Sequence, residues 1–139
     1  KGVEKERLEN RVKEEELLNV FFLPQVNKKA VPTMLKQADI LYIGAKPCVL
    51  YEFGVSMNKL YDYLMAGRPV VNAVVASNNE VEQSKSGISV EPDSEKILTK
   101  LKSLSKEELN VMGKNGQDWV KKNCSFDVLA KEFLSVMDK

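Results

Sequence analysis

Histidine is missing from the chain altogether. With it go the commonest general base, the commonest metal ligand and every Ser-His or Cys-His nucleophile. Any catalysis must run on carboxylates, lysines, backbone dipoles or groups from outside the chain. Cysteine is scarce too: Cys48 and Cys124 lack the spacing of a metal site, which predicts two reduced thiols and no metal ligands. No apolar run approaches the roughly 20 residues of a membrane span, and no signal-peptide pattern is visible. The sequon Asn123-Cys-Ser125 therefore reads as chance. Neither sign of charge dominates, with 21 Lys and Arg against 20 Asp and Glu, interspersed. Nothing in that balance calls for nucleic acid or an anionic membrane as partner. No Gly-x-Gly-x-x-Gly follows a strand, which argues against a dehydrogenase. There is also no initiating methionine: the chain starts at Lys1 in a charged helical pattern and reads as an excised piece of something longer.

What is present is enough for one domain with a core, taken as residues 1–139. Helical spacing is expected over 3–18, with Leu8, Val12, Leu17 and Leu18 inward, and an apolar run over 20–23 predicts a buried strand. A helix carrying Val31, Met34, Leu35 and Ala38 follows, with Pro32 tolerated in its first turn. Strands are expected at 40–43, 69–75 and 87–90, and helices at 77–85 and 93–104, the latter with Ile97, Leu98 and Leu101 inward. Ser105 and Glu108 form a capping box for a helix that buries Leu109, Met112, Trp119 and Val120, with Gly113 and Gly116 permitting close approach. Ser125 caps a last amphipathic helix. Alternating strands and helices without a Gly- or Ser-rich linker or a repeat imply an α/β fold, a doubly wound parallel sheet with helices on both faces. Ligands of such sheets bind at the carboxyl ends of the strands.

The stretch from Tyr51 to Val71 is the most informative. Met57, Leu60, Tyr61, Leu64 and Met65 fall on one buried helical stripe, while Asn58, Lys59 and Asp62 share the opposite arc. Ser56 is placed to cap this helix, and Gly67 and Pro69 to stop it. Lys59 is out of place by charge, since a cation in a first turn opposes the helix dipole at a cost of roughly 0.3–1 kcal/mol. Either it is simply solvated, or free amides and the ammonium together hold an anion such as phosphate. Asp62, one turn on, suits a ribose hydroxyl. Together they suggest a nucleoside diphosphate.

The order of these elements resembles the C-terminal, donor-binding domain of a retaining GT-B glycosyltransferase of family four, the glycosyltransferases group 1. The resemblance rests on Val20-Phe-Phe-Leu-Pro-Gln-Val26, Ala38-Asp39 before a strand, Gly67-Arg-Pro-Val-Val71, Gly87-Ile-Ser-Val-Glu-Pro92, Gly113-Lys-Asn-Gly116 and Ser125. The Ser-x-Asn-Lys-Leu variant at Ser56 is similar to enzymes of bacterial capsule and exopolysaccharide assembly.

The resemblance implies roles for particular residues. Asp62 stands at the ribose-binding acid, Asn58 and Lys59 at the amides that meet the distal phosphate, and Gln25 and Val26 where backbone groups pair with the base. The family's first acid, eight positions before Asp62, falls on Gly54, and Glu52 is the nearest carboxylate to take its place on the sugar. Tyr61 lies on the core stripe and reads as packing. The implied donor is a nucleotide sugar, UDP-linked rather than GDP-linked, with no metal and no prosthetic group. The implied acceptor is a glycan or lipid-linked glycan brought by an N-terminal domain, so that this piece alone turns over little or nothing. Location would be cytoplasmic, with peripheral membrane association of the full-length enzyme. Two alternatives stay open at this point: a GT-B sugar-nucleotide epimerase, and a non-catalytic nucleotide-binding or interaction module.

Overall fold

The apolar run after the Gly-Arg-Pro turn forms the centre of a parallel sheet. A computed structural model describes residues 2–137, so Lys1, Asp138 and Lys139 lie outside it. Strand β2, Val70–Ala73, is buried at every position. It pairs in parallel with β1, Leu41–Gly44, in the register Leu41 to Val70, and with β3, Gly87–Ser89, in the register Val70 to Gly87. The order is therefore β1-β2-β3. Helices flank the sheet: α3 is Asn58–Met65, α4 Glu80–Ser84, α5 Ser94–Lys102, α6 Lys106–Asn123 and α7 Phe126–Met137. This is the mixed α/β architecture, with a parallel sheet, that the alternation predicts.

The chain divides into two compact units, Lys1–Val31 and Pro32–Lys139. In the first, α1 (Lys5–Glu14) carries the ion pairs Lys5–Glu9 and Arg11–Glu15, and none of its residues is buried. The strand expected at 20–23 does not form: this segment is irregular, with Phe21 and Leu23 well exposed. Strand conformation is held by ladder hydrogen bonds to a neighbour, and the first unit contains no other strand among the described residues. Asn27 then opens a short 3-10 turn, Lys28–Ala30, by accepting from the Lys29 amide at 3.1 Å. This turn runs into α2, Val31–Leu35, where Leu35 is the buried residue.

The core of the second unit gathers Ile43, Leu60, Leu64, Val70 and Val81, with Met57, Tyr63, Trp119 and Val120 against it. Leu60 and Leu64, a turn apart, are the positions of the α3 stripe that become fully buried. Gly67 (φ +71) ends α3 in the left-handed region, where glycine carries no side-chain penalty. Helix α6 lies close over that turn, because a Cβ at Gly113 would sit 2.3 Å from the Gly67 carbonyl oxygen. Several expectations of burial are corrected. Leu8, Leu17 and Leu18 are exposed, the last two because α1 ends at Glu14 and takes them off its helical stripe, and Leu109 and Met112 are only partly buried. Tyr42 is exposed because β1 is an edge strand with one covered face. Met65 and Leu98 sit at the margins of their helical stripes and remain exposed. Trp119 and Val120 are partly rather than fully buried.

The capping box of α6 is present as read. Ser105 Oγ accepts from the Glu108 amide at 3.2 Å, and the Glu108 carboxylate accepts from the Ser105 amide at 2.8 Å. The backbone bond from Ser105, then its side chain, hold the Glu108 carboxyl below its ordinary value. A depressed carboxyl favours the folded state while ionised. Its contribution is complete above the ordinary Glu range and disappears as pH falls through the lower folded value. Glu108→Gln is thus expected to lower the thermal midpoint slightly near neutral pH and to match the parent in acid. Circular dichroism melts at about pH 7 and about pH 2.5 check this, since only the lower lies beneath the carboxylate range. A gap that widened in acid would contradict it.

Candidate functional site

Parallel pairing puts the carboxyl ends of β1 and β2 on one edge, at Gly44 and Ala73. Two loops leave that edge. The first holds a 3-10 turn, Val49–Phe53, then Gly54, and enters α3; the second runs from Val74 to the N-cap of α4 at Asn79. The loops are tied together. The Ser77 amide donates to the Tyr51 carbonyl at 3.0 Å. The Asn78 side chain takes both polar atoms of Val55, accepting from its amide at 2.7 Å and donating to its carbonyl at 2.8 Å.

Helix α3 starts without a side-chain cap. Its N-cap is Met57, in extended conformation, so the expectation that Ser56 caps the helix is wrong by one residue. Ser56 is exposed one position too early to accept from the first turn. The first backbone bond in that turn runs from the Leu60 amide to the Met57 carbonyl at 2.8 Å. Among the described residues, that leaves the Asn58 and Lys59 amides without a protein partner. Such amides carry the positive end of the helix dipole. Asn58, Lys59 and Asp62 are all exposed, on the arc opposite Leu60 and Leu64. Lys59 makes no ion pair among the described residues, so its ammonium lies near the helix start without a carboxylate to neutralise it.

Glu52 sits on the 3-10 turn and lines an open cleft of about 520 Å³ together with Pro47, Cys48, Val49, Tyr51, Val75, Ala76 and Ser77. The cleft is mostly apolar, and Glu52 is its ionisable carboxylate. Gly54 has φ +99, and a Cβ there would lie 3.3 Å from Asn78 Oδ1. A glutamate at position 54 would therefore be strained, which accounts for a glycine where the resemblance places an acid. Gln25 and Val26 belong to the first unit, in the irregular segment before the Lys28–Ala30 turn, Gln25 exposed and Val26 half-buried. Glu52, Ser56, Asn58, Lys59 and Asp62 thus all belong to the second unit, on the loop that leaves β1 and the helix it enters, but the lining of the Glu52 cleft includes none of the other four.

Sequence reading missed a polar cluster beneath this edge. Asn72, buried in β2, donates to Asn79 Oδ1 at 3.2 Å and accepts from the Val74 amide at 3.2 Å. Asn79 caps α4 and donates to Ser89 Oγ at 2.8 Å. Asn78 donates its second amide hydrogen to Glu80 at 2.7 Å. The signals were a lone asparagine inside an apolar strand and the polar run Ser77-Asn78-Asn79-Glu80 directly after it. The second was hidden by extending the next helix back to Ser77, whereas α4 starts at Glu80. Tyr61 is half-buried: burial pushes its phenol up, and the nearby Glu80 adds to the shift. Both cysteines are free, and burial pushes the Cys124 thiol up. Among the described residues no three His, Cys, Asp or Glu side chains come together as a metal site. No described helix is long and apolar enough to cross a membrane.

Comparison with known proteins gives one family: the model described as glycosyl transferases group 1 matches residues 1–119. No curated protein matches the chain, and no solved structure does.

Proposed function

The chain belongs to the glycosyl transferases group 1, and from that premise we propose that the start of α3 receives the diphosphate of a nucleoside diphosphate sugar. The observation that carries this reading is the uncapped first turn. Among the described residues the Asn58 and Lys59 amides have no protein partner and the Lys59 ammonium makes no ion pair, and Asp62 stands one turn along the same exposed arc. Amides and a cation meet an anion there without displacing any protein group. Asp62 accepts hydrogen bonds from the ribose hydroxyls.

In the reaction the bond between the sugar's anomeric carbon and the distal phosphate oxygen breaks. The electron pair leaves with the diphosphate, and positive charge develops on the sugar ring. Lys59 and the two amides stabilise the departing charge in place, and this preorganised electrostatic contribution needs no group to reorient. Glu52, in the lining of the apolar cleft, orients the sugar hydroxyls. The acceptor hydroxyl then forms the new bond on the face the diphosphate left and gives its proton to the departing phosphate oxygen, a retaining transfer. A uridine diphosphate hexose and a glycan or lipid-linked acceptor, in surface polysaccharide synthesis, fit this reading.

A calorimetric titration tests it. UDP or GDP is expected to bind the chain, and Asp62→Ala to weaken that binding about tenfold, the worth of one hydrogen bond to a charged group. Failure of every nucleoside diphosphate to bind, or an unchanged affinity in Asp62→Ala, would sink the proposal.

A second reading draws on α7, whose Phe126, Phe133, Val136 and Met137 are all more than 60 % exposed. An apolar face of that kind suits a protein contact, and it would make the chain an interaction module without turnover. The same titration separates the two, since that module releases no heat with nucleotide.

A further inference from the structure

We propose that Asn78 is the positioning residue of the α3 phosphate cradle; the inference rests on the donor-site reading above. The segment entering α3 has no cap of its own, and Gly54 at its base is in the conformation that disfavours any side chain. Something outside the segment must hold it. Asn78 does so through two bonds to one residue, accepting from the Val55 amide at 2.7 Å and donating to the Val55 carbonyl at 2.8 Å. Its remaining amide hydrogen goes to Glu80 at 2.7 Å, which fixes which end of the carboxamide faces Val55. Ser77, the residue before it, holds the 3-10 turn of Glu52 through the Tyr51 carbonyl. One dipeptide on the β2 loop thus ties down both the segment entering α3 and the turn that carries Glu52. Asn78 touches no substrate; it acts through the backbone of Val55, three residues before the first free amide.

The residue types are specific to this task. An aspartate at position 78 would still accept from the Val55 amide. It would lose the bond to the carbonyl and face Glu80 with like charge. Glu80→Gln keeps an oxygen for the Asn78 amide, so it preserves the arrangement that Glu80→Ala removes.

The test is an NMR titration of the chain with UDP, and with uridine as the phosphate-free control. Hydrogen exchange of the Val55 amide is read in parallel without ligand. Asn78→Ala and Asn78→Asp are expected to lose protection at Val55 and to bind UDP about tenfold more weakly, the uridine response being unchanged. Glu80→Ala is expected to show a smaller loss of the same kind, and Glu80→Gln to bind UDP at least as well as the parent. If the Asn78 variants do not fold, the Glu80 pair decides the matter by the same two readouts. Unaltered Val55 protection and unaltered UDP affinity in the variants would overturn the positioning role while leaving the donor site standing. A parent chain that ignores UDP would overturn the donor site and this inference with it. Equal losses for UDP and uridine would reduce Asn78 to a general structural residue and overturn the proposal.

Discussion

Gly87→Ala is expected to cost the fold more than any other single methyl group added to this chain, about 3 kcal/mol or more. Gly87 begins β3 opposite Val70, and a Cβ there would lie 1.8 Å from the Val70 carbonyl oxygen and 2.7 Å from its amide nitrogen. Both are backbone atoms of the central, buried strand, so neither can step aside as a side chain would. Relief requires β3 to move off β2. The neighbouring Ser86 is fully buried, and its carbonyl accepts from the Val70 amide at 3.0 Å, which ties the same stretch to the sheet. Domains of this size are stable by only about 5–15 kcal/mol, so the substitution removes a large share. Gly44→Ala is the matching control. There the Cβ would meet the Tyr42 hydroxyl at 2.3 Å, but that is the far end of an exposed, flexible side chain on the edge strand. Urea unfolding followed by Trp119 fluorescence should show a large fall in midpoint for Gly87→Ala and a change below about 1 kcal/mol for Gly44→Ala. Equal midpoints for the two would mean that the close approach of β3 to β2 is not a constraint.

Lys59→Glu is expected to have the largest effect on ligand binding while leaving stability almost untouched. The side chain is exposed and unpaired among the described residues, so the folded state loses no contact. Indeed a carboxylate in the first turn suits the helix dipole better than an ammonium does. Binding is another matter. In solvent, one charge pair at about 4 Å is worth about 1 kcal/mol. Reversal changes the local charge by two units against a multiply charged diphosphate. That amounts to about 3 kcal/mol, or on the order of a hundredfold in affinity for UDP. Because the site is open, the gap between parent and variant should narrow as salt rises. Calorimetry with UDP at low and high salt, alongside thermal melts, would show binding lost and stability kept. Undiminished UDP affinity in Lys59→Glu would exclude the α3 start as the phosphate site.

How much of this was legible beforehand depended on whether the signal was local. The Leu60 and Leu64 positions of the α3 stripe, the Gly67 stop, the Ser105–Glu108 capping box and the close approach at Gly113 and Gly116 were legible from spacing, and the structure has each of them. All depend on interactions within one or two turns or on the absence of a side chain. The strand at 20–23 was misjudged for the opposite reason. An apolar run shows a need for burial, but only a partner strand turns it into sheet. The cap of α3 was misplaced by one residue because the entry into that helix is shaped by Asn78, distant in sequence.

Composition alone excluded histidine chemistry, since no fold can supply a side chain the chain does not contain. The order of its apolar runs was likewise enough to establish a parallel α/β sheet, and with it the edge that carries the carboxyl ends of the strands. The positive φ of Gly54 and the grip of Asn78 on Val55 could be decided only in three dimensions. A left-handed backbone and a two-point hydrogen bond between loops arise from packing, and packing is a property of residues far apart along the chain. Tertiary structure thus determined which of the candidate polar groups at the helix start have no partner among the described residues.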